Sequence, residues 1–90
     1  MADRTSNTVF YPGVDSMMIP FKANASNDDT IVIPHGIPVA VKGINAADDD
    51  DAIASASVSG GTITFGLVDD AGSAITGDID LVGEIILKSQ

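Results

Sequence analysis

Thr62-Ile63-Thr64-Phe65-Gly66-Leu67-Val68, followed by Asp69-Asp70-Ala71-Gly72, is the stretch that decides the fold. Ile63, Phe65 and Leu67 recur at every second position, and Thr62, Thr64 and Gly66 fall between them. Successive side chains of an extended chain point to opposite faces, so this alternation predicts a strand with one buried face. The four residues that follow are rich in Asp and Gly, which suit a tight hairpin turn.

The same reading extends in both directions. On the C-terminal side, Ser73 to Thr76 is short, Gly77-Asp78 turns, and Ile79 to Lys88 is the longest strand. Its Ile79, Leu81, Ile85 and Leu87 share one face. Asp80, Glu84 and Lys88 share the other with Val82 and Ile86, so that second face is expected to be partly covered. On the N-terminal side, Ser59-Gly60-Gly61 is a turn and Ala52 to Val58 alternates small residues. Ile53, Ser55 and Ser57 lie on one face of it, and Ala54, Ala56 and Val58 on the other. Residues 48–57 stay open between a strand and a short helix, because aspartates at a helix start complement its dipole and alanines follow. Pro38 to Ile44 and Thr30 to Ile33 read as further strands, separated by Pro34-His35-Gly36. Asn45 to Asp51 and Ala23 to Asp29 read as polar loops. Ser16 to Lys22 is apolar but holds Pro20, which cannot donate to a ladder, so it reads as an edge strand or an arm.

About six to eight short strands with turn signals roughly every ten residues make a small all-β sandwich or barrel. Composition agrees. Of 13 acids, Glu84 is the one glutamate, and Ile plus Val outnumber Leu 19 to 3. Asp prefers turns to helix surfaces, and β-branched side chains fit a pleated surface. The expected core is Ile63, Phe65, Leu67, Ile79, Leu81, Ile85 and Leu87.

The 90 residues form one domain, expected to divide into an extended arm over 1–15 and a β domain over 16–90. No cysteine is present, so disulfides and thiolate chemistry are excluded. A β domain of this size has a thin core and exposed strand edges, so association with copies of itself is expected. Arg4, Lys22, Lys42 and Lys88 leave a net charge of −9, which repels phosphate backbones and anionic membranes. No nucleic-acid or membrane partner is expected. The opening Met1-Ala2-Asp3-Arg4-Thr5-Ser6 lacks the basic and apolar regions of a secretory signal, so synthesis in the cytoplasm is expected.

Few residues suggest chemistry. His35 is the one histidine and has no nucleophile motif beside it, so it reads as a turn or surface histidine. The run Asp48-Asp49-Asp50-Asp51 lacks the alternation and the glycine of a calcium loop. It reads as a solvated acidic loop, with a shared cation site as the alternative. No enzyme activity, cofactor or resident metal is expected. Phe10, Tyr11 and Phe21 stand close to Met17 and Met18, whereas the last 69 residues hold Phe65 as their one aromatic. Aromatics and methionine are enriched in the cores of interfaces. Either this segment packs on its own sheet, or Phe10, Tyr11, Met17, Met18 and Phe21 dock on a partner. On the docking reading, deleting residues 1–15 leaves a folded domain that no longer assembles.

With its aromatic arm, its lack of cysteine, its acid-rich Ala/Gly/Ser/Thr/Val/Ile composition and the hairpin Ser59-Gly60-Gly61-Thr62 through Gly72, the chain resembles capsid decoration (cement) and other minor virion proteins of tailed bacteriophages. The resemblance spans the whole chain in composition and build, and it carries over no site residues. It implies a homo-oligomer, often a trimer, bound to a major capsid protein or another virion component, located in the virion. It implies the function of a structural protein that binds and stabilises an assembled shell. The alternative is a small module that recognises a glycan or host surface, assisted by Ca²⁺ at Asp48–Asp51.

Overall fold

The computed structural model describes residues 2–12, 17–34, 36–47 and 52–88. His35 and the Asp48–Asp51 run lie outside the described residues. Apart from a 3-10 turn at Thr5–Asn7, the regular elements are strands: β1 (Val9–Phe10), β2 (Met18–Ala25), β3 (Thr30–Val32), β4 (Pro38–Ala46), β5 (Ile53–Ser59), β6 (Thr62–Val68) and β7 (Ile79–Leu87). They form two antiparallel sheets, in the orders β1-β2-β7-β4 and β3-β6-β5. This is the all-β sandwich expected, and no helix among the described residues is long and apolar enough to cross a membrane.

The opening stretch is β6, the centre of the three-stranded sheet. Ile63, Phe65 and Leu67 are fully buried, and Thr62, Thr64, Gly66 and Val68 face outward. Ser59 pairs with Thr62 across a two-residue Gly60-Gly61 turn, where Gly60 sits at φ +61°, a conformation that glycine adopts without steric cost. The open choice for residues 48–57 resolves as strand over its described part. β5 presents Ala54, Ala56 and Val58 to the core, because small residues on alternate positions fill a strand's inner face better than a helix stripe. The expected strand at Ser73–Thr76 contracts to one bridge, Val68 with Ala74, beyond an Asp69 turn. In that turn the Asp69 carboxylate accepts the N–H groups of Ala71 and Ser73 at 2.9 Å each.

Two expectations about the first third change. β2 continues to Ala25 through residues expected to be loop, because Phe21, Ala23 and Ala25 alternate inward and are all buried. It is also an inner strand rather than an edge, paired with β1 on one side and β7 on the other. Pro20 is tolerated there because its carbonyl accepts the Tyr11 N–H at 2.8 Å. In a strand the N and C=O of one residue face the same side, so the missing donor lies toward β1 and the β7 ladder loses nothing.

All seven expected core residues are buried. The Phe21 and Phe65 rings join the two sheets, with centroids 6.0 Å apart and planes at 25°. Gly83 interrupts the apolar face of β7 directly opposite Phe21. A Cβ at Gly83 would stand 3.0 Å from the Phe21 ring and 3.3 Å from the Ile44 Cα, so the ring occupies the space that a side chain would need.

Candidate docking surface

The N-terminal segment is built into the sandwich. The Ala2 carbonyl accepts the Thr30 N–H at 2.9 Å, and the Arg4 N–H donates to the Thr30 carbonyl at 2.7 Å. Farther along, the Val32 N–H donates to the Thr5 hydroxyl at 2.9 Å, and β1 pairs with β2. Residues 2–11 therefore strap one side of the molecule, from the edge of β3 to the edge of β2. The described part of the arm covers strand edges that would otherwise be open.

One carboxylate anchors the strap. Asp29 is 2% exposed and accepts the Ala2 N–H at 2.9 Å, the Arg4 Nε–H at 2.8 Å, and the Ser26 N–H and hydroxyl at 2.9 and 3.0 Å. Burial pushes this carboxyl up. The hydrogen bonds from the Ser26 and Ala2 backbone and the Ser26 hydroxyl, with the Arg4 charge, outweigh it and hold it at about 2. Arg4 also forks onto Asp78, with Nη2 and Nη1 at 2.8 and 3.2 Å from the two oxygens. Asp78 is 47% exposed, so water screens that half of the bridge.

Of the five residues expected to dock on a partner, two belong to the chain's own core. Phe21 is 2% exposed against Phe65, and Phe10 is half-buried against the core cluster. Register explains both: Phe10 pairs with Phe21, and both point inward. These two rings are turned toward the chain's own core. Tyr11 remains 47% exposed, and Met17 and Met18 are half-buried.

Met18 belongs to the outer face of the four-stranded sheet. There the cross-strand rows are Met18–Ile86–Ala40, then Pro20–Glu84–Lys42, then Lys22–Val82–Asn45, with Asn24–Asp80 at the far end. Tyr11 is bonded beside Pro20, and Val9 pairs with Lys22. One end of the face is therefore apolar and the other polar, with the Asn24 amide donating to Asp80 at 2.9 Å. Its Lys22 and Lys42 balance Glu84 and Asp80, so the acid excess of the chain lies elsewhere. Ile37 and Val39, 58% and 52% exposed, adjoin the apolar end on β4 and its approach. Sequence reasoning passed over them and Val9, because an apolar residue near a proline or strand end carries no sign of its exposure.

Among the described residues no group of three or more His, Cys, Asp or Glu could hold a metal ion, and every buried side-chain N or O has a partner. Comparison with family models, with curated proteins and with solved structures finds no match.

Proposed function

We propose that this chain is a non-catalytic structural protein of a virus particle, a decoration protein that binds an assembled shell and stabilises it. The observation that carries this reading is the outer face of β1-β2-β7-β4. Tyr11, Met18, Ile86 and Ala40 form its apolar end, and balanced charges flank them on a chain of net charge −9. Such a face can lie flat on another protein, with apolar contact at the centre and a polar rim. The resemblance to decoration proteins supplies the shell as the partner, the major capsid protein as the surface touched, and the virion as the location.

The test is sedimentation of purified chain with assembled particles of the virus that encodes it. The native chain is expected to travel with the shells and to raise the temperature at which they open. Tyr11→Ala together with Met18→Ala should weaken binding by about a hundredfold or more, since burying each side chain contributes on the order of 1.5–3 kcal/mol. A native chain that stays at the top of the gradient overturns the proposal.

A further inference from the structure

The cations of the chain are used unequally. Arg4 is held by Asp29 and Asp78 at 2.8 Å each. Lys22, Lys42 and Lys88 are exposed, and among the described residues none of them stands within ion-pair distance of an acid. All three belong to the outer face of β1-β2-β7-β4. Lys22 pairs with Val82 from β2, and Lys42 pairs with Glu84 from β4. Lys88 follows Ile86 by two residues, where its N–H donates to the Ile37 carbonyl at 2.7 Å. The lysines therefore bracket the apolar row Met18–Ile86–Ala40, with Lys88 beyond it on one side and Lys42 and then Lys22 on the other. Strand spacing sets the Lys42 Cα about 12 Å from that of Lys22 and about 14 Å from that of Lys88, farther than the Debye length in physiological salt, so each acts as a separate charge.

The acids are placed differently. Asp80, at the far end of the face, accepts the Asn24 amide. Glu84 is half-buried, with its Oε1 turned toward the bulge of β4, 3.8 Å from where a Cβ at Gly43 would stand. The other described acids, Asp3, Asp28, Asp29, Asp69, Asp70 and Asp78, belong to the strap and to the turns beside β3, β6 and β7.

We infer that this face docks on an acidic surface of a partner protein, whose apolar patch meets Met18–Ile86–Ala40 and whose carboxylates meet Lys22, Lys42 and Lys88. The inference rests on the proposed decoration role, in which that partner is the assembled shell. Charge complementarity selects it. On a neutral partner the rim lysines would lose water without gaining a counter-charge. A basic partner would be drawn to the acid-rich turns and would leave the apolar row facing water. An acidic partner is repelled by those turns and attracted where the three lysines stand, so the acid excess of the chain itself fixes which face makes contact.

Sedimentation with assembled particles of the virus that encodes the chain, in sodium chloride from about 50 to about 500 mM, tests the inference. Binding of the native chain should weaken as salt rises. Lys22→Gln with Lys42→Gln and Lys88→Gln takes the net charge from −9 down by three to −12, and should weaken binding about tenfold and flatten its salt dependence. Ser57→Glu with Ser59→Glu and Ser73→Glu makes the same change of net charge away from the face, and should bind within about threefold of the native chain. Circular dichroism checks that each variant folds, and the three single lysine variants replace the triple one if it does not. A lysine variant that binds like the native chain overturns the inference and leaves the decoration role standing. So does a serine variant that weakens as much as the lysine variant, because net charge alone then acts. Self-association of the native chain in sedimentation equilibrium that the lysine variant abolishes also overturns it, since the face then meets a second copy. A native chain that does not bind the particles overturns the inference and the decoration role together.

Discussion

Replacing Asp29 with alanine removes the one acceptor on which the N-terminal strap converges. The carboxylate is nearly inaccessible and accepts four hydrogen bonds, one of them from the Arg4 guanidinium. Its pKa of about 2, against 3.8 for the unperturbed group, corresponds to on the order of 2 kcal/mol at neutral pH. The substitution also leaves the Ala2 and Ser26 N–H groups without their acceptor and Arg4 with its exposed Asp78 partner alone, so the full cost is about 3 kcal/mol. That is a large fraction of the roughly 5 kcal/mol expected of so small a domain. Urea unfolding at pH 7 measures the loss, and amide exchange at Arg4 and Thr30 reports whether the strap opens. The pH dependence is diagnostic. Because the folded value lies below the unfolded one, the Asp29 contribution is complete above about pH 5 and disappears as pH falls from 3.8 toward 2. The gap between native and Asp29→Ala stabilities should therefore narrow by more than half between pH 7 and pH 2.5. A loss under about 0.5 kcal/mol at pH 7, within the range of an ordinary surface substitution, would refute the anchoring role. A gap as wide at pH 2.5 as at pH 7 would refute its electrostatic origin.

Gly83→Ala sets a methyl against the Phe21 ring and the Ile44 backbone, and should cost about 1–3 kcal/mol by overpacking, read as a lower thermal midpoint. Deleting residues 1–11 strips the edges of β2 and β3 and leaves Asp29 buried without Ala2 or Arg4, so the truncated chain should lose cooperative unfolding in a thermal melt, unlike the independent domain expected from the sequence. Millimolar Ca²⁺ should leave the native melting temperature unchanged, and a rise of many degrees that chelator reverses would show a cation site at the aspartate run.

Period-two alternation by itself determined the central strands. Ile63, Phe65 and Leu67 on β6, and Ile79, Leu81, Ile85 and Leu87 on β7, were legible because a half-buried strand must repeat every second residue. The Gly60-Gly61 turn was legible because so few residues fit a two-residue hairpin. Exposure of Tyr11 and the outward placement of Met18 were not. A row of apolar residues looks the same in sequence whether its face meets the core or water, and which face is buried depends on the strands that flank it. The two phenylalanines joined the core because Phe10 registers with Phe21 and Phe21 lies over Gly83, the second contact made between segments some sixty residues apart. Asp29 was still less visible. Beside Asp28 in a polar stretch it has the look of a turn residue, and only the return of Ala2 and Arg4 to the edge of β3 makes it the buried anchor of the fold. Local pattern determines the strands, whereas the guarding of their edges depends on pairings between distant segments that only the tertiary structure decides.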